Sequence, residues 1–285
     1  MQSLPNAAPA SLSETDRVVQ GYARRLAENA QRHATRLPEQ IKKYAIISTP
    51  RVGSNLLSQR LETTGTMGWP SEWFNARYAR ACCHELGLEP TTRAFDQYMA
   101  MLIRGTASPG GIFGVKFHID QYIEWKSAGV DLLNVKFDRI YWVERRDKIA
   151  QAYSFAKAMK TDRWTKEIEL GAGIRDGNQV HATVKENEVH VTVKEVAARL
   201  ANICENCAYF EEHFKGHVSQ TFYYEDMAED QSAEAANTLM ADLGQRSDKV
   251  DPSALMQKQG TDNDAARIAE IKAYLIGRTE LVSNE

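Results

Sequence analysis

Along the chain, short apolar runs alternate with longer stretches in which apolar residues recur every three to four positions. The runs are YAIIS (44–48), IFGVKF (112–117), RIYWVE (139–144), QVHATV (179–184) and QTFYY (220–224). Runs of this length, rich in β-branched and aromatic residues, predict strands. Helical patterns separate most of them: NLLSQRLETT, the stretch around FDQYMAMLIRG, DKIAQAYSFAKAMK, and VKEVAARL onward. Strands alternating with helices predict an α/β fold with a three-layer, mainly parallel central sheet.

The flanks read differently. Residues 1–12 have nothing to bury and predict a disordered N-terminus. A helix is expected to start near Ser13, with Asp16 as an approximate capping partner, and to stop before Pro38. Its expected role is packing or an oligomer contact. The chain therefore divides into a disordered lead (1–12), an N-terminal helical extension (13–43) and one main domain (44–285). VHATVKENEVHV alternates on both sides of Glu186-Asn187, the pattern of a hairpin flap. The acidic, Gln-rich tail after Asp230 reads as helical and largely exposed.

Composition narrows the function classes. The 285 residues, 43% hydrophobic, suffice for one sizeable core. A net charge of −3 gives no basic excess for nucleic acid or an acidic membrane surface, although a local arginine cluster needs none to hold a small anion. No segment approaches the ~20 apolar residues of a membrane-crossing helix, and MQSLPNAAPASLSETD lacks the regions of a secretory signal. Four cysteines are too few for a disulfide scaffold and point to a reducing, cytoplasmic setting. Cys204 and Cys207 form C-x-x-C inside a helical pattern with no second pair at zinc spacing, so they read as helix residues. No metal-ligand cluster stands out, and none is expected.

The strongest local feature is YAIISTPRVGSNLLSQRL. A buried strand ends at Ser48, a tight loop carries Arg51, Val52, Gly53, Ser54 and Asn55, and a helix follows from about Leu56. Such a strand-loop-helix aims backbone N–H groups and the positive helix end at one point. Gly53 allows close approach to an oxyanion, Ser54 and Asn55 donate, and Arg51 adds a forked charge. The G-x-x-x-x-G-K-[ST] phosphate loop is absent. An ordinary strand-to-helix turn explains the loop equally well when it is read alone. A second arginine pair, Arg145-Arg146, follows the strand RIYWVE, and Ser154 lies two turns into the next helix. Strand carboxyl ends are where open α/β sheets bind ligands.

Together TPRVGSNLL, RRDKIAQAYS and TFYYEDMAED resemble the three nucleotide motifs of sulfotransferases that use 3′-phosphoadenosine 5′-phosphosulfate (PAPS). Within that superfamily the chain is most similar to the bacterial trehalose 2-sulfotransferase family. The marks are Arg51 in the loop, GWPSEWF (68–74), GVKFH (114–118) and RRDKIAQAYSFAKA (145–158), over about residues 44 to 230. The resemblance implies a P-loop-like phosphosulfate site in which Arg51, Val52, Gly53, Ser54 and Asn55 hold the 5′-phosphosulfate. It implies that Ser154 and one of Arg145 or Arg146, with Arg145 favoured, hold the 3′-phosphate. Tyr224 would pack near the adenine, and Lys258 is the candidate for the basic residue that the superfamily places near the C-terminus. It also implies a small-molecule hydroxyl acceptor, a carbohydrate or glycolipid, and a homodimer as one arrangement.

Two residues compete for the general base that sulfuryl transfer requires. Glu72 stands where the trehalose family has its proposed base, and a setting among Trp69, Trp73 and Phe74 would raise its pKa by desolvation. His118 shares a strand face with Lys116 in a K-x-H pattern resembling the catalytic segment of cytosolic sulfotransferases. Glu72 is preferred, with His118 orienting the acceptor or sharing the proton and Lys116 stabilising charge. A nucleotide-dependent kinase of related fold and a non-catalytic nucleotide-binding relative are the rival readings. The kinase would need a Walker lysine that the chain lacks.

Overall fold

The computed structural model describes residues 14–32, 37–89, 92–162, 164, 189–246, 250 and 261–282. The predicted strand at 179–184, the flap turn at Glu186-Asn187, the lead at 1–12 and Lys258 lie outside them. Four strands form one sheet: β1 (Lys42–Ser48), β2 (Ile112–His118), β3 (Arg139–Glu144) and β4 (Gln220–Tyr223). Their order is β2-β1-β3-β4, and every pairing is parallel. Each predicted run that falls among the described residues is a strand, except that Tyr224 leaves the last one to begin a helix.

Alternation along the strands divides the core. Ala45 and Ile47 of β1, with Phe113, Val115 and Phe117 of β2 and Trp142 of β3, face one side. Tyr44 and Ile46, with Tyr141, Val143 and Phe222, face the other. Both faces are buried because right-handed parallel crossovers place helices on each. The first face is covered by α1 (Glu14–Arg32), α3 (Ala76–Glu85), α4 (Phe95–Thr106), α5 (Ile119–Ser127) and part of α7 (Val193–His213). The second is covered by α2 (Ser54–Thr63), α8 (Tyr224–Glu229) and α9 (Ala233–Asp242). A third cluster joins α6 (Lys148–Thr161), α7 and α10 (Asp262–Val282).

One expectation changes in part. Beyond Asp230 the described part of α10 is largely exposed as expected, but α9 is not: Ala235, Ala236, Leu239 and Met240 are buried in the second core. Their spacing makes a narrow apolar face that the acidic composition masks. The N-terminal helix packs on α3 and α4, with Ala23 and Leu26 in the first core and Asn29 Nδ2 donating to Gly105 O at 3.2 Å. Among the described residues no helix is long and apolar enough to cross a membrane.

Strand order positions the site. From β1 the chain moves outward to β2, and from β3 it moves the other way to β4, so loops leaving β1 and β3 diverge at their carboxyl ends. Such a switch point opens a crevice by topology alone.

Candidate active site

A cleft of about 1330 Å³ opens over the carboxyl ends of the strands. It exceeds the ~300–1,000 Å³ of ordinary single-ligand pockets, which suits two reactants side by side.

After β1 the backbone turns through two left-handed residues, Arg51 (φ 68°) and Gly53 (φ 78°), before α2 begins at Ser54. The helix thus starts two residues earlier than expected. A Cβ on Gly53 would lie 2.7 Å from Cδ2 of Tyr224, so only glycine lets that ring rest on the loop. We expect Gly53→Ala to cost about 1–3 kcal/mol from the left-handed backbone alone, and to weaken nucleotide binding further. Thermal denaturation and titration would read the two effects. Gln151, fully buried in α6, pins the loop from below by donating Nε2 to Thr49 Oγ1 at 2.8 Å and to Pro50 O at 2.7 Å. The side chain of Val52 sits in the second core, so only its backbone can serve a ligand.

Arg51 reaches across to α6, where its Nε donates to Ser154 Oγ at 3.0 Å and its Nη1 to Trp164 O. Arg145, at the end of β3, lies over the Tyr224 ring, 4.5 Å from its centroid, with Nη1 3.5 Å from Arg51 O. Among the described residues its buried Nε has no hydrogen-bond partner. Burial and the charge of Arg145 bring Arg51 down to about 10. Two neighbouring guanidiniums in a partly dry cleft repel, and a polyanion between them would relieve that repulsion. Arg146 points away: it makes a bidentate pair with Asp226 at 2.6 and 2.7 Å and lies over Tyr223. The geometry therefore separates the two arginines, and Arg145 alone lines the cleft.

The other half is built on β2. Gly68 has φ 74° and two carbonyls, Ile112 O and Thr106 O, 2.7 Å from where a Cβ would stand. This tight turn lets the chain run along the outer edge of β2, where Lys116 N donates to Ser71 O at 3.0 Å. Glu72 is thereby seated over Lys116. Lys116 Nζ donates to Glu72 Oε1 at 2.7 Å and to Asn55 Oδ1 of the loop. His118 Nε2 lies 3.6 Å from Glu72 Oε1, and its Nδ1 is 2.9 Å from Ser48 Oγ. Gln121 donates Nε2 to Glu72 Oε2 at 2.9 Å, while its Oε1 accepts from His118 N at 3.2 Å.

This corrects the expectation for Glu72. Burial does push its carboxyl up, but the charges of Lys116 and His118 and their hydrogen bonds win, and it is held well below the usual carboxylate range. The surroundings also differ: Trp73 and Phe74 are fully buried in the first core, and of the three neighbours only Trp69 lines the cleft. Cys204 and Cys207 lie on α7 as expected of helix residues.

The candidates Arg51, Gly53, Ser54, Asn55, Glu72, Lys116, His118, Arg145, Ser154 and Tyr224 all line this one cleft. Sequence reasoning missed Ser48, Gln121 and Gln151. Gln121 had one signal, its place three residues after His118 at a helix start, where side chains reach back to the preceding backbone.

The family model described as Stf0 sulphotransferase matches residues 43–270. The match covers most of the chain, which therefore belongs to the Stf0 sulphotransferase family. No curated protein gives a significant match.

Proposed function

We propose that this sulfotransferase takes the sulfuryl group of PAPS and places it on a hydroxyl of a small carbohydrate or glycolipid, with Glu72 as general base. The observation that carries the donor half is the pair of guanidiniums of Arg51 and Arg145 at the β1/β3 switch point, with Ser154 and the Tyr224 ring beside them. A nucleotide with phosphates at both the 5′ and 3′ positions has charge for both arginines and a base for the tyrosine. Arg51, Ser54, Asn55 and the loop amides take the phosphosulfate, and Arg145 and Ser154 take the 3′-phosphate.

In transfer the acceptor oxygen forms a bond to sulfur as the bond from sulfur to the bridging oxygen breaks. The bonding pair stays on the leaving phosphate, and the hydroxyl proton goes to Glu72. Arg51 and the loop amides neutralise the leaving oxygen, and Lys116 faces the sulfuryl group. His118, fixed by Ser48, orients the acceptor or shares the proton.

Lys116 bonds both the candidate base and the donor loop. A bound anion draws it from Glu72, so the carboxylate gains basicity only when the donor is in place. We expect the acid limb of kcat/KM, which reports the free enzyme, to lie below the ~4.3 of an ordinary glutamate. Rate falls as pH falls, because protonation removes the base. The limb of kcat, which reports the complex, should lie at higher pH. A pH–rate profile checks both, and an acid limb of kcat/KM in the ordinary imidazole range would transfer the role to His118.

The direct test is titration calorimetry with adenosine 3′,5′-bisphosphate beside the 5′-monophosphate, ATP and GTP. Tight binding of the bisphosphate with much weaker monophosphate supports the reading. Preference for ATP or GTP, or no binding, overturns it and moves the kinase-like reading to the front.

A further inference from the structure

We propose that α1 selects the acceptor: Val18, Val19 and Tyr22, with Trp69 and Tyr78, form a subsite for the apolar part of a glycoside whose sugar hydroxyl reaches Glu72. This rests on the reading of the cleft given above and adds the acceptor's chemical class to it.

Sheet order separates the cleft into halves. Arg51, Arg145 and Tyr224 follow β1, β3 and β4, whereas Lys116, His118 and Glu72 belong to the β2 side. Beyond Glu72 on that side the wall comes from α1 and α3, and Val18, Val19, Tyr22 and Tyr78 line the same cleft as the carboxylate. Among the described residues three large hydrophobic side chains are exposed, and two of them, Val18 at 43% and Met159 at 56%, line this cleft. Met159 belongs to the α6 side of the cleft, whereas Val18 and Tyr22 are four residues apart on α1 and share a face, which puts the exposed side chain of Val18 beside that ring.

The wall is built, not merely adjacent. Tyr22 lies 5.0 Å from Trp69 and 5.7 Å from Tyr78, nearly perpendicular to the latter. Arg25, ion-paired to Glu62 at 2.8 Å, caps Trp69 at 4.0 Å from the ring centroid. Ala23 and Leu26 anchor the helix in the first core. The ring arrangement is therefore fixed before any ligand arrives. Tyr22 and Tyr78 are half-buried and can turn a ring toward the C–H face of a sugar, with the buried Trp69 backing them, while Gln59, Asp120 and Glu124, which also line the cleft, can meet its hydroxyls. Val18 offers nothing to a hydroxyl and suits an alkyl or aryl aglycone, with the buried Val19 supporting it from behind. All three α1 residues lie outside residues 43–270, the part matched by the family model. The acceptor wall can thus differ from relatives while the donor machinery stays the same.

The test measures sulfuryl transfer from PAPS to glucose, trehalose and octyl glucoside, with bisphosphate affinity read separately in every variant as a report on the donor site. We expect the KM for octyl glucoside to be lower than that for glucose by about tenfold or more, the discrimination that one or two buried methylenes supply. Val18→Glu, at an exposed position that the fold tolerates, should collapse that ratio by raising the octyl glucoside KM about tenfold. Tyr22→Ala should raise the KM for every accepted sugar. Equal KM values for glucose and octyl glucoside in the wild type, or an unchanged octyl glucoside KM in Val18→Glu, overturns the proposal. So does a protein that binds the bisphosphate yet sulfates none of the three. A wild type that does not bind the bisphosphate overturns the donor reading itself, and this one with it.

Discussion

Glu72→Gln will lower kcat by ~10²–10⁴, the range typical of a lost general base, while the affinity for adenosine 3′,5′-bisphosphate stays in place. The amide keeps the shape and one acceptor for Lys116, so the variant removes the proton-accepting function with little else. The cost to the fold is calculable in direction. Lys116 is 2% exposed and pairs with a carboxylate 2.7 Å away. Stripping a partner from such a buried pair costs up to about 3–5 kcal/mol, and the retained amide contact reduces that. Gln121, which now donates to Glu72 Oε2, would face either the amide oxygen or the amide nitrogen. Thermal denaturation of the variant therefore belongs beside the kinetics. If Glu72→Gln is fully active and His118→Ala is not, the base is His118. The depressed titration of Glu72 makes this a sharp question, because a carboxylate clamped by Lys116 is a weak base until the clamp is loosened.

Arginine substitutions should divide the donor site into its two phosphates. Charge-assisted hydrogen bonds contribute about 1.5–3 kcal/mol each, so losing a forked pair weakens binding by roughly 10²–10⁴-fold. Arg51→Ala should weaken the bisphosphate and the 5′-monophosphate alike, since both carry the 5′ group. Arg145→Ala should weaken the bisphosphate alone and bring it down to the monophosphate. Arg146→Ala should change neither, because that guanidinium is held by Asp226 on the surface, with the two side chains 51% and 64% exposed. Titration of the three variants with both nucleotides reads the pattern directly. Equal effects of Arg145→Ala and Arg146→Ala would break the assignment.

Legibility followed the range of the interactions. The strands at 44–48, 112–117 and 139–144 were readable because a strand buried on both faces must be apolar throughout. The loop at 51–55 was readable because a strand, a glycine and donor side chains stand in order just before a helix, although the left-handed backbone at Arg51 was not. The run RRDKIAQAYS carried both an arginine and Ser154, but not which arginine: residues adjacent in sequence diverge once one finds Asp226. The helical pattern after Asp230 was readable but the burial of α9 was not, because composition reports the exposed face as loudly as the buried one.

The titration of Glu72 shows the limit most clearly. An aromatic neighbourhood in sequence argued for a raised pKa, and two of those rings, Trp73 and Phe74, turned into the core instead. What stands beside the carboxylate comes from 44 and 46 positions away along the chain, Lys116 and His118 on the neighbouring strand. Sequence by itself determined four of the strands, most of the helices between them and the chemical inventory, since each is set by a residue and its near neighbours. Only the tertiary structure decided which charges meet. Strand order and the edge pairing at Ser71 bring distant groups within hydrogen-bonding reach, and at that range electrostatic energies depend on ångströms that no spacing in the sequence records.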